Sequence, residues 1–184
     1  MALLHTPAKD DNFYAPDFSL KNIDGKTLGF KDISGEKGTL VMFICNHCPY
    51  VKGIVDRLPQ TCKQLQDMDI GVVAIMPNDT ANYPADSFDN MKIFAKENNF
   101  TFPYLIDETQ ATARAYDAVC TPDFFGFNAD GQLEYRGRLD SSGKNPADAN
   151  TIPELLNAMT QIAQTGTGPS QQTPSMGCSI KWKS

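Results

Sequence analysis

The sequence predicts an α/β fold, with a mixed β-sheet covered by helices on both faces. Three observations carry this expectation. Short apolar runs alternate with segments of helical periodicity through the middle of the chain, the order of parallel β-α-β units. Two turn signals, Asp24-Gly25 and Asn128-Ala129-Asp130-Gly131, are each flanked by strand-like residues and add antiparallel hairpins towards the two ends. The 184 residues, 41% of them hydrophobic, suffice for one core and are too few for two comfortable ones.

Residues 18–20 and 27–30 pair across Asp24-Gly25 as the first hairpin. Residues 39–44 (TLVMFI) form a short, uninterrupted apolar run bounded by Gly38, the pattern of a strand buried on both faces. Over residues 49–68, Val51, Ile54, Val55, Leu58, Cys62 and Leu65 recur at helical spacing, and Pro59 predicts a kink inside this helix. A second buried strand spans 71–76. Ser87 is the expected N-cap of a helix carrying Met91, Phe94 and Ala95. A short strand at 104–106, a short helix at 109–116, a second hairpin at 123–127 and 132–136, and a last helix at 152–164 complete the order. Residues 165–175 are rich in Gly, Pro, Thr and Gln and read as a linker. Residues 1–164 are therefore expected as a single domain, and 165–184 as a tail carrying Cys178 in a flexible context.

The net charge of −6 and the scattering of the 16 basic residues argue against nucleic acid, which needs clustered Lys and Arg. No run approaches the 18 apolar residues of a membrane span. The opening Met1-Ala2-Leu3-Leu4-His5-Thr6-Pro7 lacks a basic n-region, so no membrane partner and a cytoplasmic location are expected. The five cysteines are an odd number in a chain that can build its own core, which does not suit a disulfide framework.

Cys45-Asn46-His47-Cys48 stands where a buried strand gives way to a helix. Free N–H groups and the helix dipole stabilise an anion there and lower a thiol pKa. The thiolate is the attacking species in disulfide exchange, and two intervening residues let the second sulfur release a mixed disulfide. His47, with Asn46, is expected to tune the pair, and Pro49 suits the first helical turn. Zinc normally takes four ligands and the chain has two histidines, so no metal and no resident cofactor are expected. A copper site on Cys45, Cys48 and His47 is the competing arrangement, although His47 need not converge on the same ion. Cys62 reads as a small core residue. Arg136 and Arg138 read as solvated strand ends, and as second-tier cations for a peroxidase.

Strand, C-x-x-C, kinked helix and a later Thr121-Pro122 before a hairpin together resemble the thioredoxin superfamily. Ala15-Pro16-Asp17-Phe18-Ser19-Leu20 with Asp24-Gly25-Lys26 is similar to the opening of its peroxiredoxin/TlpA-like branch. Asn46-His47-Cys48-Pro49-Tyr50-Val51 and Gly177-Cys178-Ser179-Ile180-Lys181-Trp182 resemble a bacterial peroxiredoxin-like subgroup. The resemblance implies a thioredoxin-like fold with an N-terminal β-hairpin extension and a cis Thr121-Pro122 that docks substrate. It makes Cys45 an exposed nucleophile and Cys48 a buried resolving thiol. Cys120, beside the Thr-Pro, and Cys178 become candidate auxiliary thiols. Two positions depart from thioredoxins: Ile44 replaces a Trp, and Thr39 replaces a buried acid.

The activity implied is thiol–disulfide exchange on protein or small-molecule disulfides, fed by a thiol reductant system. A thiol peroxidase acting on peroxides ranks second. Peroxiredoxins carry Thr or Ser three residues before the reactive cysteine, and here Met42 precedes Cys45 and Cys45 precedes Cys48. A metal-binding or redox-sensing module is the third reading.

Overall fold

The computed structural model describes residues 2–184; Met1, the first residue of the segment read for a leader, lies outside the described residues. In chain order the elements are β1 (Leu3–His5), β2 (Leu20–Asn22), β3 (Thr27–Leu28), α1 (Phe30–Ile33), β4 (Gly38–Phe43) and α2 (Pro49–Lys52). Then come α3 (Leu58–Gln66), β5 (Ile70–Met76), α4 (Phe88–Glu97), β6 (Tyr104–Ile106), α5 (Ala111–Ala115) and β7 (Cys120–Thr121). The last are β8 (Asp123–Phe127), β9 (Leu133–Tyr135), α6 (Glu154–Thr165) and β10 (Met176–Ser179). No described helix is long and apolar enough to cross a membrane.

Seven strands form one mixed sheet in the order β3-β2-β6-β5-β4-β8-β9. β4, β5 and β6 run parallel, and both hairpins add antiparallel strands at the edges. Alternation along β4 divides the core. Leu40 and Met42 join a cluster with Leu58, Leu65, Met91, Leu155 and Met159, from α3, α4 and α6. Val41 and Phe43 face the other way, onto an aromatic cluster with Phe125, Phe127 and Tyr116 that takes in Ile33 of α1 and Ala113 of α5. Helices thus cover both faces, and the expected thioredoxin-like α/β fold is the one observed. Ser87 caps α4 as expected, its hydroxyl accepting from the Asn90 N–H.

Two expectations need correction. The helix read over 49–68 is two helices with a turn between them, not one kinked helix. Gly53 closes α2, and a Cβ there would lie 2.4 Å from the Lys144 carbonyl oxygen, so only glycine lets the two backbones approach. The Arg57 guanidinium holds the break by donating to the carbonyls of Gly53 (2.9 Å) and Gly143 (2.7 Å). Pro59 is the second residue of α3, in the first turn, where its missing N–H has no intrahelical partner to lose.

The flexible context expected for Cys178 is the second. β10 lies between β1 and β7 in a separate three-stranded sheet, pairing Leu3 with Cys178 and Cys178 with Thr121. Beyond it, the Lys181 N–H donates to Asn78 Oδ1 (2.9 Å), while the Lys181 carbonyl accepts from Asp79 N–H and Gln110 Nε2. Cys178 and Ile180 are buried. Neither β1 nor β10 has the apolar length or alternation that marks a strand in sequence; both are held by pairing with distant segments.

Candidate redox site

β4 carries the chain to Cys45, and the Ile44 N–H still bonds to the Ile75 carbonyl at 3.0 Å. The loop then turns so that Cys48 becomes the N-cap of α2, with Pro49 as its first residue. The Val51 and Lys52 N–H groups close on the Cys48 carbonyl at 3.1 and 2.9 Å. The anion-stabilising end of the helix therefore belongs to Cys48. Cys45 is 1% exposed and Cys48 fully buried, so the exposed nucleophile expected at Cys45 is not what the fold presents. Both side chains turn into the cluster that contains Met42, Val51 and Ile54.

Thr121, followed by a cis Pro122, touches both sulfurs. Its hydroxyl lies 3.4 Å from Cys45 Sγ, and its carbonyl accepts from the Cys48 thiol at 3.2 Å. Strand register places Cys178 opposite Thr121, bringing a third sulfur to the same spot. Hydrogen bonding from the Cys45 thiol, opposed by burial, draws Cys48 down to about 4, with help from the Cys178 thiol and the Cys178 and Val51 backbone. Cys45 is raised well above 9 by that same contact with Cys48, by burial and by the charge of Asp86. Burial and the contact with Cys48 push Cys178 up to about 11. The Thr121 carbonyl favours a protonated Cys48, but it is one acceptor against several donors. Within the pair, Cys48 is drawn down and Cys45 pushed up, so Cys48 is the sulfur favoured to ionise first.

The other cysteines stand apart from this exchange. Cys120 points its thiol at the Pro122 carbonyl (3.6 Å), and burial with the nearby Asp123 raises its pKa. Cys62 packs against Met42 and is raised by burial, as suits a core residue.

His47 and Asn46 converge on a residue that sequence reasoning missed. Asp86, fully buried in the single-turn 3₁₀ helix Pro84–Asp86, accepts from the Asn46 N–H (2.8 Å), His47 Nδ1 (2.7 Å) and Asn78 Nδ2 (2.9 Å). Asn46 also donates through Nδ2 to the Ala85 carbonyl (3.1 Å) and accepts from the buried Tyr104 hydroxyl (2.9 Å). The His47 ring stacks on Tyr83, with centroids 5.8 Å apart and planes at 7°. Nothing in the spacing of Asp86 links it to the C-x-x-C, so only the fold shows the connection. Cys45 Sγ, a His47 nitrogen and an Asp86 oxygen all lie within 4.8 Å of one another, a donor set able to hold a metal ion. The converging set is thus not the Cys45, Cys48 and His47 weighed from sequence.

Arg136 and Arg138 are not solvated strand ends. Arg136 is buried, paired with the buried Asp123 at 3.0 Å and stacked over Phe125. Arg138 grips both carboxylate oxygens of Glu154 at 2.7 and 2.9 Å. Beside the pair, Pro122 lines a mostly apolar cleft of about 200 Å³ with Tyr50, Ile54, Phe124, Leu139 and Met176.

Residues 13–136 match the AhpC/TSA family. The chain belongs to that family. It is accordingly a thioredoxin-like redox protein of the thioredoxin superfamily. It is similar over its whole length to an uncharacterized conserved protein from Geobacillus kaustophilus, with 41% identity, 97% of that chain covered and a TM-score of 0.93. A hypothetical protein from Sinorhizobium meliloti 1021 is 30% identical, with 98% of each chain covered and a TM-score of 0.92. A secreted disulfide oxidoreductase from Mycobacterium tuberculosis shares the fold at 19% identity, covering 78% of this chain and 94% of its own, with a TM-score of 0.60. No curated protein matches this chain.

Proposed function

We propose that this AhpC/TSA-family protein is a thiol–disulfide oxidoreductase working through the Cys45–Cys48 pair, with Cys48 supplying the thiolate. The observation that carries the reading is the position of Cys48 as the N-cap of α2 beside the Cys45 thiol. In the proposed step the Cys48 thiolate attacks a substrate disulfide, forming a mixed disulfide and releasing one substrate thiolate. Cys45 then gives up its proton and attacks Cys48 Sγ. The second substrate thiol leaves, and the Cys45–Cys48 disulfide holds the oxidation. Two equivalents of an external thiol then reduce the pair in two exchange steps and leave as their own disulfide. These roles reverse the order expected from the resemblance, because the helix N-terminus belongs to the second cysteine. The cleft at Pro122 is the proposed docking surface for the substrate chain, with Thr121 joining it to the sulfurs. Because both sulfurs are buried, exchange requires the covering groups to part. A cytoplasmic setting is part of the proposal, since a reducing compartment keeps such a pair as thiols.

The test is insulin reduction with single variants and mass spectrometry of trapped intermediates. Cys45→Ser is expected to lose turnover and accumulate a mixed disulfide on Cys48. Full turnover by Cys45→Ser, or trapping on Cys45 in Cys48→Ser only, overturns the assignment.

Membership of the AhpC/TSA family favours one second reading, reduction of peroxides. Here the Cys48 thiolate takes one peroxide oxygen to become a sulfenate while an alcohol or water leaves. Cys45 then condenses with it, releasing water and forming the same disulfide. Stoichiometric peroxide that yields the disulfide faster than a disulfide substrate does would put this reading first.

A further inference from the structure

We propose that Cys45 Sγ, an imidazole nitrogen of His47 and a carboxylate oxygen of Asp86 form a binding site for a zinc-class divalent cation. The three donor atoms already lie within 4.8 Å of one another. Zinc bonds of about 2.0–2.3 Å put two donors of one tetrahedral ion roughly 3.3–3.7 Å apart, so the donors would shift by about 1 Å from their present spacing to hold one. The donor set of one sulfur, one nitrogen and one oxygen suits a borderline ion, whereas calcium and magnesium take oxygen ligands.

The surroundings have the features of a supported site. Asp86 and Cys45 are buried, and the His47 side chain is mostly so, at 18% exposed. Asn46 N–H and Asn78 Nδ2 hold the carboxylate, and Oδ1 receives only the Asn46 N–H, which leaves it a lone pair to offer. The Tyr83 ring fixes the plane of the imidazole. The cation would displace the Cys45 thiol proton, as metal binding to such a ligand does. A shallow groove lined by Asn46, His47, Val55, Ala85 and Phe94 borders the imidazole and offers a way in. Three protein donors leave a fourth position for water or a ligand, the open coordination of a reactive centre rather than a closed structural one.

This site stands on geometry alone and does not rest on the oxidoreductase reading. If that reading also holds, the Cys45–Cys48 disulfide removes the sulfur ligand, and oxidation expels the ion.

The test uses reduced, chelator-treated full-length protein titrated with Co(II), with Zn(II) affinity measured by competition against a chromophoric chelator. One equivalent of Co(II) is expected to give a thiolate-to-cobalt charge-transfer band, which zinc then abolishes. Cys45→Ser should lose the band and Cys48→Ser should keep it. His47→Ala and Asp86→Asn should each weaken zinc binding about tenfold or more, with circular dichroism confirming that each variant is folded. Absence of the band in the folded wild type, its survival in Cys45→Ser, or unchanged zinc affinity in both folded His47→Ala and Asp86→Asn overturns the site. Insulin turnover measured separately in excess chelator tests the oxidoreductase reading on its own. A cobalt band without turnover supports the metal site and rejects exchange, and turnover without a band does the reverse.

Discussion

His47 Nδ1 lies 2.7 Å from Asp86 Oδ2, across 39 residues of chain, and the pair ties the C-x-x-C loop to the segment that leads into α4. Removing the carboxylate strands three donors at once: His47, the Asn46 N–H and Asn78 Nδ2. A buried donor left unpaired costs about 1–3 kcal/mol. Asp86→Ala is therefore expected to lower unfolding free energy by about 3 kcal/mol or more in urea denaturation, and Asp86→Asn, which keeps an acceptor, by less. Equal losses in the two variants would contradict this account.

The cysteine pair is expected to carry a single negative charge at neutral pH. Cys48, drawn to about 4 chiefly by the Cys45 thiol, ionises first, and Cys45, raised by the contact with Cys48, stays protonated. Ultraviolet thiolate absorbance of the reduced protein should show one transition in the acid range that disappears in Cys48→Ser. Cys45→Ala removes the principal donor and should move that transition to higher pH. A downward move would show that Cys45 does not stabilise the thiolate.

Asp123 and Arg136 form a buried ion pair, and burial still raises the Asp123 carboxyl above its ordinary value. The sign follows. The native state binds the Asp123 proton more readily than the unfolded chain, so this group's contribution is fully present below about pH 3.9 and falls as pH rises through the native value. Arg136→Met leaves an uncompensated buried carboxylate, expected to cost about 3–5 kcal/mol at pH 7. The loss should shrink at pH 5, where protonation relieves the orphaned charge. Chemical denaturation at the two pH values measures the difference, and a larger loss at pH 5 would have the wrong sign.

Gly177 meets the Thr121 carbonyl oxygen that accepts the Cys48 thiol. A Cβ at 177 would sit 2.0 Å from that oxygen and 2.6 Å from its carbonyl carbon, a clash with backbone that no side-chain movement relieves. Gly177→Ala is expected to push β10 off Thr121, lowering stability by about 1–3 kcal/mol. Iodoacetamide should then label Cys48 and Cys178 faster than in the wild type, read by mass spectrometry. Unchanged labelling would mean that β10 does not gate the sulfurs.

The central β-α-β order and both hairpins were legible because buried strands and turn residues announce themselves locally. Residues 40–44 are apolar throughout, and Asp24-Gly25 supplies the positive-φ glycine that a tight turn needs. Cys45, Cys48, Thr121 and Pro122 were legible as a group through motif and order. The direction of ionisation was not, because it depends on the contacts Cys48 receives from Cys45, Cys178 and the Val51 N–H, which only folding brings together. Asp86, Asn78 and Tyr104 were invisible for a related reason: single polar residues acquire meaning only when folding brings them to one point. Arg136 looked solvated because a charged residue at a strand end usually is, and its buried partner lies 13 positions earlier.

The pairing of β10 with both β1 and β7 has a consequence for the order in which the molecule is made. Cys45 and Cys48 leave the ribosome well before Cys178, the residue whose strand covers them and whose contacts help draw Cys48 down. Until residues 176–179 emerge, the two sulfurs lack that cover and are open to passing oxidants and metals. A ribosome stalled before residue 176 would therefore display an uncovered dithiol.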